Sequence, residues 1–347
     1  MMASTLVLSN LRCEYKLNPI GIDTSRPRLS WEMATDRRGA RQTAYQVQVV
    51  SGAQGFDAGG GLLWDSGKVT SDASIHMPYG GPALASGQRC SWRVRVWDEK
   101  GLPTEWSEAA SWEMGLLHPA DWQASWIQPG IEEDVSASQP CPMLRTTFHV
   151  RGQVASARAY VTCLGLYQVE LNGALVGDQV LTPGWTVYDR RLQYQTYDVA
   201  GLLVEGENAL GVTLGDGWYR GWLGFGGNRN AYGEKLALLL QIQVVYQDGR
   251  TQLVGTDEGW KCTTGPILTS DIYNGETYDA RLEKTGWSRA GYDDTGWAGV
   301  QVVEHSKETL VAPAGPPITR IQEIEPVAIL TTPAGEMVFD MGQNMVG

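Results

Sequence analysis

Apolar and polar residues alternate with a period of two along most of the chain. Tyr45, Val47 and Val49 are interleaved with Gln46 and Gln48, and Cys90, Trp92, Val94 and Val96 with Ser91, Arg93 and Arg95. Successive side chains of a strand point to opposite faces, so each run buries one face and wets the other. Gly, Pro, Ser and Asp gather between the runs, and no series of amphipathic helices interrupts them. Short strands at regular spacing, bounded by turn residues, predict an all-β chain of sandwiches.

The pattern divides the chain into units. Residues 1–117 begin their strands near Pro27-Arg28-Leu29-Ser30-Trp31 and close with Ser111-Trp112-Glu113-Met114-Gly115, an order that resembles a fibronectin type III-like sandwich. Trp64, Trp92 and Trp97 are read as core packing in preference to a sugar or partner platform, since Trp92 falls on the inward face of its strand; Trp97, on the opposite face, is open to either role. Residues 118–142 form a connector in which Trp122, Trp126 and Ile127 are anchors and the polar, acidic stretch from Ile131 to Pro142 is a surface loop. Residues 143–310 read as a second sandwich of jelly-roll type. Asn172-Gly173 between alternating runs is a strong hairpin signal, Asp248-Gly249 is another, and Leu238 to Tyr246 is a long apolar strand. Residues 311–347 end in Met337-Val338-Phe339-Asp340-Met341, the expected first strand of a further sandwich. With no partner strands behind it, the chain is expected to be a fragment whose apolar last strand promotes self-association.

At 347 residues the chain has room for two or three domains, each with its own core. The formal charge of −12 disfavours phosphate backbones, so nucleic acid is not expected as a partner. A membrane is not expected either, because there is no basic amphipathic segment and no apolar run long enough to cross one. Cys13, Cys90, Cys141, Cys163 and Cys262 are far apart and odd in number, which predicts buried free thiols rather than a disulfide framework or a zinc site. The N-terminus lacks the basic-then-apolar pattern of a signal peptide, and a cytoplasmic location is expected.

Candidate chemistry concentrates between Tyr160 and Asp279, around Leu214-Gly215-Asp216-Gly217-Trp218-Tyr219-Arg220-Gly221-Trp222. Flat aromatic faces beside directional polar groups suit a sugar, which has apolar C–H faces and hydroxyl edges. The same residues suit a tightly packed sandwich corner, since glycines permit sharp turns and close approach, and the corner is the preferred reading. Glu276, Asp279 and Arg281 form a second polar set, readable as an acid/base pair or as a turn in which Arg281 holds Asp279; the turn is preferred. The histidines, His76, His118, His149 and His305, have no metal-site spacing.

Pro183-Gly184-Trp185-Thr186 with Tyr188, Gln193-Tyr194-Gln195-Thr196-Tyr197-Asp198-Val199, Gly275-Glu276-Thr277-Tyr278-Asp279-Ala280-Arg281 and Phe339-Asp340-Met341-Gly342-Gln343-Asn344 occur together with the glycine-rich centre. In that order they resemble the N-terminal region of bacterial α-L-rhamnosidases, glycoside hydrolase family 78. The resemblance implies a fibronectin-like domain, a jelly roll and a further sandwich ahead of a catalytic (α/α)6 barrel. In that family an acid and a base, spaced to admit a water, hydrolyse α-L-rhamnosides with inversion. The barrel's carboxylates match no position here, so no catalytic residue is assigned. Rhamnose-containing glycosides or polysaccharides are the implied partners, with Asp216, Trp218, Tyr219, Trp222, Asn228 and Glu276 as carbohydrate-binding candidates. No cofactor is required, but some relatives hold rhamnose with calcium, which makes Asp216 the candidate metal ligand and Asn228, Asn230 and Asn274 further oxygen donors. The competing readings are a free-standing carbohydrate-binding module and a structural or adhesion protein.

Overall fold

The computed structural model describes residues 4–52, 56, 61–224 and 227–345. In the first unit, a sheet of Val7–Cys13, Arg28–Ala34 and Met77–Pro78 faces a sheet ordered Leu62–Asp65, Gln42–Ser51, Arg89–Asp98, Ala110–Glu113. Val47 lies opposite Val94, and Val49 opposite Trp92. This register puts the whole apolar set on one face, where Trp92 is fully buried against Trp31 and Trp112. Trp97 has the opposite parity and lies on the outer face, covered by the Lys68 ammonium at 4.5 Å and the Arg95 guanidinium at 5.1 Å. Trp64 meets Tyr79 edge-to-face at 5.5 Å. These tryptophans pack rather than offer a platform.

The second unit is one long sheet folded into two layers. Leu166–Leu171, Gly206–Gly215 and Pro142–Val150 make one layer, and Ala237–Tyr246, Val154–Leu164 and Gln195–Asp198 the other. Val169, Leu210, Val212 and Leu144 meet Val161, Leu240, Ile242 and Val244 between them. Asn172 and Gly173 both have positive φ, 55° and 79°, with Leu171 opposite Ala174, so the turn is the two-residue type that matches strand twist. The apolar run Ala237–Leu240 that opens the strand Ala237–Tyr246 has a physical cause. Its inner residues fill the core, while Ala237 and Leu239 pack outward against Trp122, Tyr160 and Tyr194.

That outward cluster joins the two units. Arg158 forms a buried bidentate pair with Glu113 at 2.7 and 2.8 Å. Burial alone would lower the Arg158 guanidinium, but the Glu113 hydrogen bonds and charge hold it above its ordinary value. The Tyr194 hydroxyl accepts from the Leu116 amide at 2.9 Å, and at Gly115 a Cβ would lie 2.2 Å from that oxygen.

Two expectations change. The connector supplies a strand, Trp126–Pro129, that pairs with Ala298–Val303 and touches Ala237–Tyr246, because Trp126 and Ile127 are buried there. The terminal segment is a hairpin of Ala328–Thr331 with Met337–Asp340 rather than a lone first strand. Ile329, Leu330, Met337, Val338 and Phe339 nevertheless remain exposed on it.

Candidate functional site

The glycine-rich centre begins where the strand Gly206–Gly215 ends. Gly217 has φ of +53°, and a Cβ there would lie 2.5 Å from Leu166 Cγ, so the turn requires glycine. One helical turn, Gly217–Arg220, follows and brings Arg220 back over Asp216.

Asp216 is not placed as a ligand. It is 2% exposed, and Arg220 is 1% exposed. One Asp216 oxygen accepts from Arg220 Nε; the other lies 2.9 Å from Arg229 Nη1 and accepts from the Ser138 hydroxyl at 3.2 Å. The Arg229 contact is close in distance but poorly aligned as a hydrogen bond, since Arg229 Nη1 has no aligned acceptor. Arg220 also donates to both oxygens of Glu133, at 2.9 and 3.1 Å, and Lys235 approaches Glu133 at 3.6 Å. Burial alone pulls the Arg220 guanidinium down, yet Glu133 and Asp216 together hold it above its ordinary value. A calcium ion beside Asp216 would face two guanidinium groups at contact distance, so this residue does not fit a metal site. Asp216 is the hub of a buried ion-pair network, an arrangement that favours the packed corner over the reading of Asp216 as a sugar or calcium ligand. The same network pins Glu133, which belongs to the stretch read as a surface loop. Asn230 donates to Val135 O at 2.9 Å, tying two loops distant in sequence, and Asn274 donates to Asp271 Oδ1 at 3.1 Å within a turn.

The aromatic candidates separate. Tyr219 is 9% exposed and lies edge-on to Tyr188 at 5.3 Å, which makes it a packing residue and corrects its assignment as a sugar platform. Trp222 is half-buried, and its amide donates to Asp271 at 2.7 Å, tying this loop to the hairpin of Ile267–Asp271 and Gly275–Tyr278. Asn228 is exposed, and its carbonyl accepts from the Leu223 amide at 2.8 Å. Glu276 is exposed on its strand without an ion pair among the described residues. Asp279 accepts from the Arg281 amide at 3.1 Å and pairs with its guanidinium at 2.5 Å, which is the turn arrangement.

Trp218 has a partner that sequence reasoning missed. The indoles of Trp185 and Trp218 are parallel within 4° at 5.9 Å. Trp185 is 53% exposed, unusual for so large an apolar side chain, and its N–H donates to the Tyr232 hydroxyl at 3.2 Å. Tyr232 packs on Tyr188 at 4.8 Å, so the exposed indole is held by a chain of rings that reaches the core. The signal was present in Pro183-Gly184-Trp185-Thr186, but nothing in that tetrapeptide shows which ring faces solvent.

Two family models match. Residues 8–118 match the Rha78A-like N-terminal immunoglobulin domain, and residues 152–322 match the α-L-rhamnosidase N-terminal domain. An α-L-rhamnosidase of Alteromonas sp. (strain LOR) is 37% identical over 95% of this chain and 37% of its own length. The crystal structure of an α-L-rhamnosidase from Aspergillus terreus is 38% identical, with a TM-score of 0.91 over 98% of this chain and 39% of that one. The Streptomyces avermitilis α-L-rhamnosidase complexed with L-rhamnose is 28% identical, with a TM-score of 0.91 over 98% of this chain and 49% of that one. The chain thus spans between about a third and a half of the length of these relatives. Over both of its sandwiches, the chain belongs to the N-terminal region of the α-L-rhamnosidase family.

Proposed function

We propose that the chain is the non-catalytic, glycan-contacting part of an α-L-rhamnosidase whose whole form removes terminal α-L-rhamnose from glycosides and polysaccharides. The observation that carries this reading is the match of relatives named α-L-rhamnosidase along nearly the whole chain. Inverting hydrolysis needs a general acid and a general base on opposite sides of the scissile bond, with a water between them. The second polar set does not supply such a pair, because Asp279 is held by Arg281 and Glu276 has no ion pair among the described residues. The resemblance implies that the catalytic carboxylates sit in the barrel of the whole enzyme, and none is assigned to a residue here.

This chain's part is to hold and orient. The exposed face of Trp185, backed by Trp218, suits the apolar face of a sugar ring, and a rigid aromatic costs little ordering entropy on binding. Asn228, Trp222 and Glu276 are further candidate contacts, carried by the neighbouring loop and hairpin. The five cysteines, all free and buried, support a reducing, cytoplasmic setting. The exposed apolar hairpin gives the isolated chain a tendency to self-associate.

The test is to incubate the purified chain with p-nitrophenyl α-L-rhamnoside and, separately, to follow tryptophan fluorescence during titration with methyl α-L-rhamnopyranoside. The proposal expects no turnover, together with a saturable fluorescence change that Trp185→Ala abolishes. Turnover by the chain itself, or a fluorescence response indifferent to Trp185, would overturn it.

A further inference from the structure

The outer face of the layer containing Leu166–Leu171 and Gly206–Gly215 is roofed by the segment from Gly265 to Trp287, and a cleft lies between floor and roof. Its main chamber holds about 380 Å³, within the range of small-molecule sites. A second chamber of about 200 Å³ adjoins it, and Cys141, Gln168, Thr213 and Ile267 line both.

The roof is rigid. Trp287 sits directly on Gly211, where a Cβ would lie 2.5 Å from its ring, and it stacks on Trp297 at 6.3 Å. Arg145, buried beneath, donates to the Trp287 carbonyl at 2.9 Å. The cleft's carboxylates are engaged: Glu283 accepts from the Tyr278 hydroxyl at 2.8 Å, and Glu170 accepts from the Ser288 hydroxyl. By contrast, the Gln168 amide, the Thr213 hydroxyl and the Lys284 ammonium have no hydrogen bond or ion pair among the described residues. A walled cavity that keeps donors and acceptors free beside a fixed indole favours a ligand that both donates and accepts along its edge and is apolar on its face. A lone ammonium beside two carboxylates does not favour an anion.

We propose that this cleft binds one neutral pyranose ring of a glycan, with its C–H groups against the parts of Trp287 and Met143 that line the cleft and its hydroxyls on Gln168, Thr213 and Lys284. It is a second glycan contact, separate from the Trp185–Trp218 pair, and it rests on the reading that the chain handles glycans.

The experiment is calorimetric titration of the chain with methyl α-L-rhamnopyranoside, methyl α-D-mannopyranoside and methyl β-D-galactopyranoside. Each sugar is run on wild type, on Gln168→Ala/Lys284→Ala, and on Trp185→Ala, with melting curves of all three proteins. The cleft variants remove side chains without protein partners, so melting is expected to be unchanged. At least one sugar is expected to bind saturably, and the cleft double variant is expected to weaken it about tenfold, as loss of two or more hydrogen bonds implies. No saturable binding of any of the three sugars, or equal affinity in the cleft variant, overturns the proposal. Binding of the mannoside or galactoside alone, sensitive to the cleft variant, supports the cleft while removing rhamnose as its sugar. Rhamnoside binding that responds only to Trp185→Ala overturns the cleft and leaves the rhamnose reading standing.

Discussion

Asp216→Asn is the substitution that most sharply separates a ligand from a structural hub. In the structure the Asp216 side chain is 3% exposed, and its partners Arg220 and Arg229 are 1% and 5% exposed. Neutralising it leaves Arg220 with Glu133 but removes the only ion-pair partner that Arg229 has among the described residues. Breaking a buried pair by removing one member costs about 3–5 kcal/mol, because the remaining charge is buried without compensation. Each kcal/mol moves the melting temperature of a domain this size by about 2–4 °C, so the midpoint is expected to fall by roughly 6–20 °C. The assay is thermal and urea unfolding of both proteins, with sugar titrations at low temperature where the variant is still folded. Affinity for methyl α-L-rhamnopyranoside is expected to be unchanged. An unaltered midpoint with lost sugar binding, or with lost stabilisation by calcium, would refute the reasoning.

Other expectations follow from the same contacts. Glu113→Gln leaves the buried Arg158 only the exposed Asp198 at 3.1 Å and should destabilise the chain by about 1.5–3 kcal/mol, read from urea midpoints. Burial raises the Glu14 carboxyl, but hydrogen bonds and charge from Arg28 outweigh it and leave it below its ordinary value near 4.5. A depressed carboxyl contributes stability above its unfolded value and loses it as pH falls through the folded one, so Glu14→Gln should flatten the loss of stability below about pH 4.5, measured by melting against pH. Burial pushes the Cys90 and Cys141 thiols up to about 12 and raises the others, so a thiol reagent at pH 8 should label none of the five cysteines before unfolding and all of them after. Amides of Ala328–Thr331 and Met337–Asp340 should exchange within seconds to minutes while those of Ala237–Tyr246 stay protected, because the hairpin is covered on neither face.

Local pattern carried the sandwiches. The alternation around Val47 and Val94 placed Trp92 in the core, and Asn172-Gly173 formed the predicted turn, because strand parity and turn dihedrals are properties of a few adjacent residues. The role of Asp216 was not legible in the same way. Arg220 reaches Glu133 from 87 positions away, and an aspartate between glycines looks exposed until that partner is known. The packing of Tyr219 and the exposure of Trp185 were hidden for a similar reason: which ring of an aromatic cluster faces water depends on what packs behind it, and Tyr219 meets Tyr188 from 31 positions away while Trp185 is held by Tyr232 from 47. The connector strand Trp126–Pro129 was hidden because its hydrogen-bond partners, Ala298–Val303, come near the end of the second sandwich.

The most direct test of a glycan-contacting, non-catalytic role is the nuclear magnetic resonance spectrum of the tryptophan indole N–H groups during titration with methyl α-L-rhamnopyranoside. A saturable shift of the Trp185 and Trp218 resonances, with the glycoside recovered intact, is the predicted result. Indole resonances that do not move, or free rhamnose accumulating in the tube, would contradict the account.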